Sequence, residues 1–143
     1  MKILIVEDSS AFARTLEKIL QELKHQVYRA TDVSRAMGFI RSYKFDCIIL
    51  DLNIRVTGLT SAQIKKTSNG LGTGWIWLKE KVLYSDIEID YKNKTIICSA
   101  YQDEFKAKMP IEFEEILEIG IPFVRREDAP GEILEYLEKM DNK

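Results

Sequence analysis

Cysteine and histidine are scarce in this chain, and neither sign of charge prevails. Two cysteines occur in 143 residues. Cys47 and Cys98 each lie inside an apolar, strand-like run, so they read as buried thiols of a reducing cytoplasm rather than a bridge or a metal pair. The single histidine, His25, falls at a turn and does not read as a catalytic base. The 21 basic and 23 acidic side chains leave a net charge of −2, which gives no reason to expect a nucleic acid or an anionic membrane as partner. No apolar run is long enough to span a bilayer. The opening Met1-Lys2-Ile3-Leu4-Ile5-Val6 meets Glu7-Asp8 at once, so it does not read as a signal peptide. Repeats and low-complexity tracts are absent. The expectation is one cytoplasmic domain over residues 1–143, long enough for a real core.

What is present is a series of short apolar runs that stop on polar residues. Phe45-Asp46-Cys47-Ile48-Ile49-Leu50 ends on Asp51. Its β-branched residues and lack of helical period predict a strand buried on both faces, as in a parallel sheet. Lys2–Val6 is a similar run and ends on Glu7 and Asp8. Between them, Ser9 or Ser10 can cap a helix to about Leu23, with Phe12, Leu16, Ile19, Leu20 and Leu23 on one face. A short strand follows over His25–Ala30. Thr31 or Asp32 then caps a helix to about Tyr43, with Val33, Ala36, Met37 and Ile40 inward. This alternation predicts an α/β fold with helices on both faces of the sheet.

After Asp51 the rhythm breaks. Residues 52–73 hold several Gly, Ser and Thr and form a long loop for a compact domain, with a helical turn or two at 60–66. Gly74–Leu83 reads as a helix with Ile76, Leu83 and one of Trp75 and Trp77 facing the sheet. Trp residues two apart cannot share a face, so the other is a candidate contact surface. Ser85–Asn93 is a polar connection with possible extended pieces at Ile87 and Ile89. Thr95–Cys98 is the fourth strand, followed by Ser99-Ala100. Asp103 can cap a helix that Pro110 interrupts, with a second piece over about 111–118 ended by Gly120. Glu112, Glu114, Glu115 and Glu118 read as a solvated face. The fifth strand runs from Pro122 to Arg125 or Arg126, and Asp128 caps a last helix to about Met140 with Ile133, Leu134 and Leu137 inward.

In open α/β sheets, ligands collect at the carboxyl ends of strands. Glu7, Asp8 and Asp51 would stand at that rim if the first and third strands are neighbours. Asp51 alone could equally cap the following turn. Three acids that close need a cation, and magnesium suits one or two carboxylates plus phosphate oxygens. Ser99 and Arg125 or Arg126 add a hydroxyl and a positive charge at the same rim, a set that fits a phosphoryl group on an Asp nucleophile.

Glu7-Asp8, Asp51, Ser99-Ala100 and the basic residue after the fifth strand, in that order, resemble the response-regulator receiver domain from Lys2 to Met140. The resemblance implies a flavodoxin-like, doubly wound, five-stranded parallel sheet of order 2-1-3-4-5. It implies a phosphoacceptor at Asp51, charged by a sensor histidine kinase or phosphotransfer protein, and not an enzyme beyond assisting its own phosphorylation and dephosphorylation. It also implies Mg2+ held by Asp8, by Glu7 largely through water, by Asp51 and by the Asn53 carbonyl. Ser99 would bond the phosphoryl oxygen, Phe123 would be the aromatic that rotates on activation, and Arg126 would take the place of the family's lysine. The downstream partner stays unknown, and a homodimer stays open.

Three departures stand out. Arg126-Glu127 replaces the family's Lys-Pro, which should relax the following loop; the segment after Asp51 is longer by roughly twenty residues; and the expectation is a stand-alone receiver with no output domain after the last helix. The first two keep alive a second reading, a pseudo-receiver that binds partners with little or no phosphorylation. A phosphatase using Asp51 would want a second acid two residues on, where Asn53 stands.

Overall fold

The computed structural model describes residues 1–54, 61–62 and 70–142. Five strands form one parallel sheet of order β2-β1-β3-β4-β5: β1 Lys2–Val6, β2 Gln26–Ala30, β3 Cys47–Leu50, β4 Thr95–Ser99 and β5 Phe123–Arg125. The expected fold class and strand order are thus found. Helices pack around it, among the described residues α1 Ser10–Glu22, α2 Val33–Ser42, α3 Thr73–Trp77 continued as a π-helical turn over Leu78–Leu83, α4 Gln102–Lys108, α5 Pro110–Ile119 and α6 Gly131–Asp141.

Period-two alternation along the strands divides the core. Ile3, Ile5, Cys47, Ile49, Ile96, Cys98 and Val124 pack with Ala13, Leu16 and Leu20 of α1 and Ile133 and Leu137 of α6. Leu4, Val6, Ile48, Leu50 and Ile97 face the opposite way, onto side chains of α2, α3, α4 and α5. Both cysteines are free and buried, as their apolar runs required.

Several details differ from the sequence reading. Leu23 is 53 % exposed, because it is the C-cap of α1, beyond its buried stripe. Trp75 and Trp77 are both fully buried, and every residue from Leu71 to Leu78 is buried, since this helix is covered on all sides. The candidate exposed tryptophan is therefore withdrawn. Asp103 does not cap α4; Tyr101 is its N-cap, and Asp103 lies in the first turn, where its carboxylate accepts two bonds from Arg125 at 2.8 and 3.2 Å. Asp128 does not cap α6, because a 3-10 turn at Arg126–Asp128 intervenes and Pro130 takes the N-cap position. A cis peptide bond joins Ala129 to Pro130. Glu115 is tied to Lys79 at 2.6 Å and bridges α5 to the π-helical turn. Asp32, in contrast, caps α2 as expected, accepting from the Arg35 N–H at 2.8 Å. Gly120, at φ +88°, ends α5 in the left-handed conformation. The helical turn expected at 60–66 lies mostly outside the described residues.

The amino-terminal rim of the sheet carries both ends of the described chain. The Met1 amine lies 3.0 Å from His25 Nδ1, and Met1 lines one shallow cleft with Met140 and Asp141 at the end of α6. The opposite rim carries the acids.

Candidate functional site

The register puts the acids side by side. Val6 pairs with Leu50, so the residues that follow them, Glu7 and Asp51, leave neighbouring strand tips in the same direction. Oxygens of Glu7, Asp8 and Asp51 all lie within 4.8 Å of one another. Glu7 is 3 % exposed and Asp51 5 %, whereas Asp8 is open to solvent. Ser99 closes β4 and is buried; its hydroxyl oxygen accepts from the Tyr101 N–H at 3.1 Å, which fixes the turn out of the strand. Asn53 lies two residues past Asp51 and is half-buried. Its N–H donates to the Asp51 carboxylate.

The ambiguity between Arg125 and Arg126 is resolved by side-chain direction. Arg125 turns outward to Asp103. Arg126, the first residue of the 3-10 turn after β5, turns onto the acids. Its Nη2 donates to Glu7 Oε2 at 2.5 Å and lies 3.5 Å from Asp51 Oδ2. The guanidinium rests on the Phe12 ring, with Cζ 4.5 Å from the centroid. Phe123, in β5, is half-buried and sits against Phe113 and Phe105, with ring centroids 5.7 and 6.2 Å away.

Burial and mutual repulsion act together on the carboxyls. Desolvation, then the charge of Glu7, push Asp51 up to about 8, against the opposing pull of Arg126 and the Asn53 N–H. Glu7 is also raised, chiefly by burial, although the Ser9 N–H and Arg126 favour its charge. Asp51 Oδ1 is buried and has no hydrogen-bond partner. An orphaned carboxylate oxygen between two further acids is what a hard, oxygen-seeking cation would satisfy, so the donor set fits Mg2+.

Some contributors escaped the sequence reading. Phe12 appeared only as an apolar residue of α1, and its role under Arg126 depends on a residue 114 positions away. Gly74 left a legible signal, the run Gly70-Leu71-Gly72-Thr73-Gly74, which marks close backbone approach. Its N–H donates to the Leu52 carbonyl at 2.7 Å, and a Cβ there would lie 2.1 Å from the Asp51 carbonyl oxygen. The last part of the long segment thus packs directly against the tip that carries Asp51.

The response regulator receiver domain family matches residues 3–71. The cell cycle transcriptional regulator CtrA of Caulobacter vibrioides is 29 % identical over 126 residues, covering 88 % of this chain and 51 % of that protein. The chain therefore spans about half the length of that relative. Among solved structures, a CheY-like receiver domain from Methylobacillus flagellatus superposes with TM-score 0.70 at 18 % identity, covering 98 % of each chain. The BeF3-activated receiver domain of Klebsiella pneumoniae RstA superposes with TM-score 0.67 at 16 % identity, covering 98 % of this chain and 97 % of that one. Those identities speak for the fold alone. Residues 3–71 match the response regulator receiver domain family, and the fold is that of CheY-like receiver domains.

Proposed function

We propose that the chain receives a phosphoryl group on Asp51 from a histidine kinase or a phosphotransfer protein and passes the signal on through a change of surface. The observation that carries this reading is the meeting of Glu7, Asp8 and Asp51 at one rim, with a buried Asp51 oxygen left unpartnered. Asp51 attacks phosphorus through a carboxylate oxygen; the bond from phosphorus to the donor nitrogen breaks, and its electron pair stays with the donor imidazole. Asp8, Asp51, the Asn53 carbonyl and, largely through water, Glu7 would hold Mg2+. That ion would supply positive charge against the phosphoryl oxygens. Ser99, next to Ala100 at the end of β4, would donate to a phosphoryl oxygen. Arg126 supplies a positive charge at the site. Phe123 is the element that would read the change, since it lies in β5 against the α4 and α5 aromatics.

Among the described residues no helix is long and apolar enough to cross a membrane. The expectation that nucleic acid is no partner rests on net charge alone, and the relative CtrA is named a transcriptional regulator.

The test is mass spectrometry after incubation with acetyl phosphate and Mg2+. One added phosphoryl group on the wild type, absent from Asp51→Asn, is the expected result. No addition to the wild type with acetyl phosphate or phosphoramidate would leave the domain as a binding module and overturn the proposal.

A further inference from the structure

Both oxygens of Glu7 are engaged. Oε1 accepts from the Ser9 N–H at 2.9 Å and Oε2 from Arg126 at 2.5 Å. The same Arg126 nitrogen stands 3.5 Å from Asp51 Oδ2. The guanidinium therefore lies across two of the three carboxylates that would hold a divalent cation. It is not a loose surface charge: its side chain is 26 % exposed, and Phe12 supports its face. A divalent cation on the same oxygens would meet the guanidinium charge at close range, where partial burial leaves the repulsion weakly screened.

We propose that Arg126 and Mg2+ compete for the same oxygens, so that the guanidinium acts as a built-in counter-ion that sets how tightly the acid cluster takes up the metal. This rests on reading the acids as a divalent-cation site. A forked, delocalised cation suits such a role: it can hold two carboxylates at once and be swung aside on a flexible stem. Metal uptake then requires the pair with Glu7 to open, and the apparent affinity is reduced by the fraction of molecules in which it is closed. Arg125, one residue earlier and bound to Asp103 instead, provides a control of equal charge in the same stretch of chain.

The experiment is calorimetric titration of the whole chain with Mg2+ and with Mn2+. If Arg126 occupies the acids in nine molecules of ten, Arg126→Met should bind metal about tenfold more tightly than wild type. Arg125→Met should stay within about twofold, because exposed charges off the site are screened. An Arg126→Met protein that binds no more tightly overturns the inference, as does equal tightening in Arg125→Met. Should Arg126→Met fail to fold, the wild type itself decides: on saturation with Mg2+ the Arg126 Nε–H resonance should move while that of Arg125 stays, and an unmoved Arg126 signal sinks the idea. Neither readout involves phosphorylation. A chain that never accepts phosphate yet behaves this way keeps the inference and loses the proposed function; absence of any metal uptake overturns the inference while the mass-spectrometric test still stands.

Discussion

Asp51 is the residue on which the site turns, and its environment makes a prediction about pH. Its carboxyl is pushed up to about 8 by burial and by Glu7. In the unfolded chain it titrates in the ordinary range, near 4. Between those values the folded state holds a proton that the unfolded state has released, so stability falls as pH rises through the window. In EDTA, the urea midpoint of the wild type relative to Asp51→Asn should be higher at about pH 5 than at about pH 8.5. A gap between the two proteins that does not change with pH would show that Asp51 titrates as it does in water. The acids themselves were legible from sequence, because a carboxylate that stops an apolar strand is a strong local signal. Arg126 was only half legible. Spacing placed it at the basic position, but its contacts with Glu7, Asp51 and Phe12 arise from three separate elements.

At the scale of elements, β1, α1, β2, α2 and β3 follow the sequence reading closely, since each carries its own period and α2 its own cap. The second half departs more. Helix α3 has no polar face over Thr73–Leu78, so periodicity could not say which tryptophan turns inward. Its continuation as a π-helical turn, and the 3-10 turn that displaces Asp128 from the cap of α6, depend on packing rather than on local propensity. The start of α3 also yields a prediction. Gly74→Ala would drive a methyl group into the Asp51 carbonyl, where backbone and not a flexible side chain must move. The expected loss is about 2 kcal/mol or more in urea unfolding, at the upper end for overpacking. A loss below about 0.5 kcal/mol, the usual range of a surface change, would show that this helix slides freely on the strand tip.

For the whole molecule, the sheet is the frame and its middle is its most protected part. β1 and β3 are paired on both sides and covered by helices on both faces, whereas β5 is a three-residue edge strand. Native-state hydrogen exchange should find the amides of Ile3–Val6 and Cys47–Leu50 opening only with global unfolding, and those of Phe123–Arg125 opening earlier. If the β5 amides outlast those of β1, the edge carries stability that its pairing does not explain. The acids thus stand at the tips of central strands, and their cationic partner Arg126 follows an edge strand.

Met1 and Asp141 meet at the end of the sheet remote from Glu7 and Asp51. Anything tethered through either terminus, whether a sensor surface, a fluorophore or a fused protein, leaves from the back of the molecule. A chain captured on a chip in this way presents its acid rim outward, so ion uptake there can be followed on immobilised material without the anchor standing in the way.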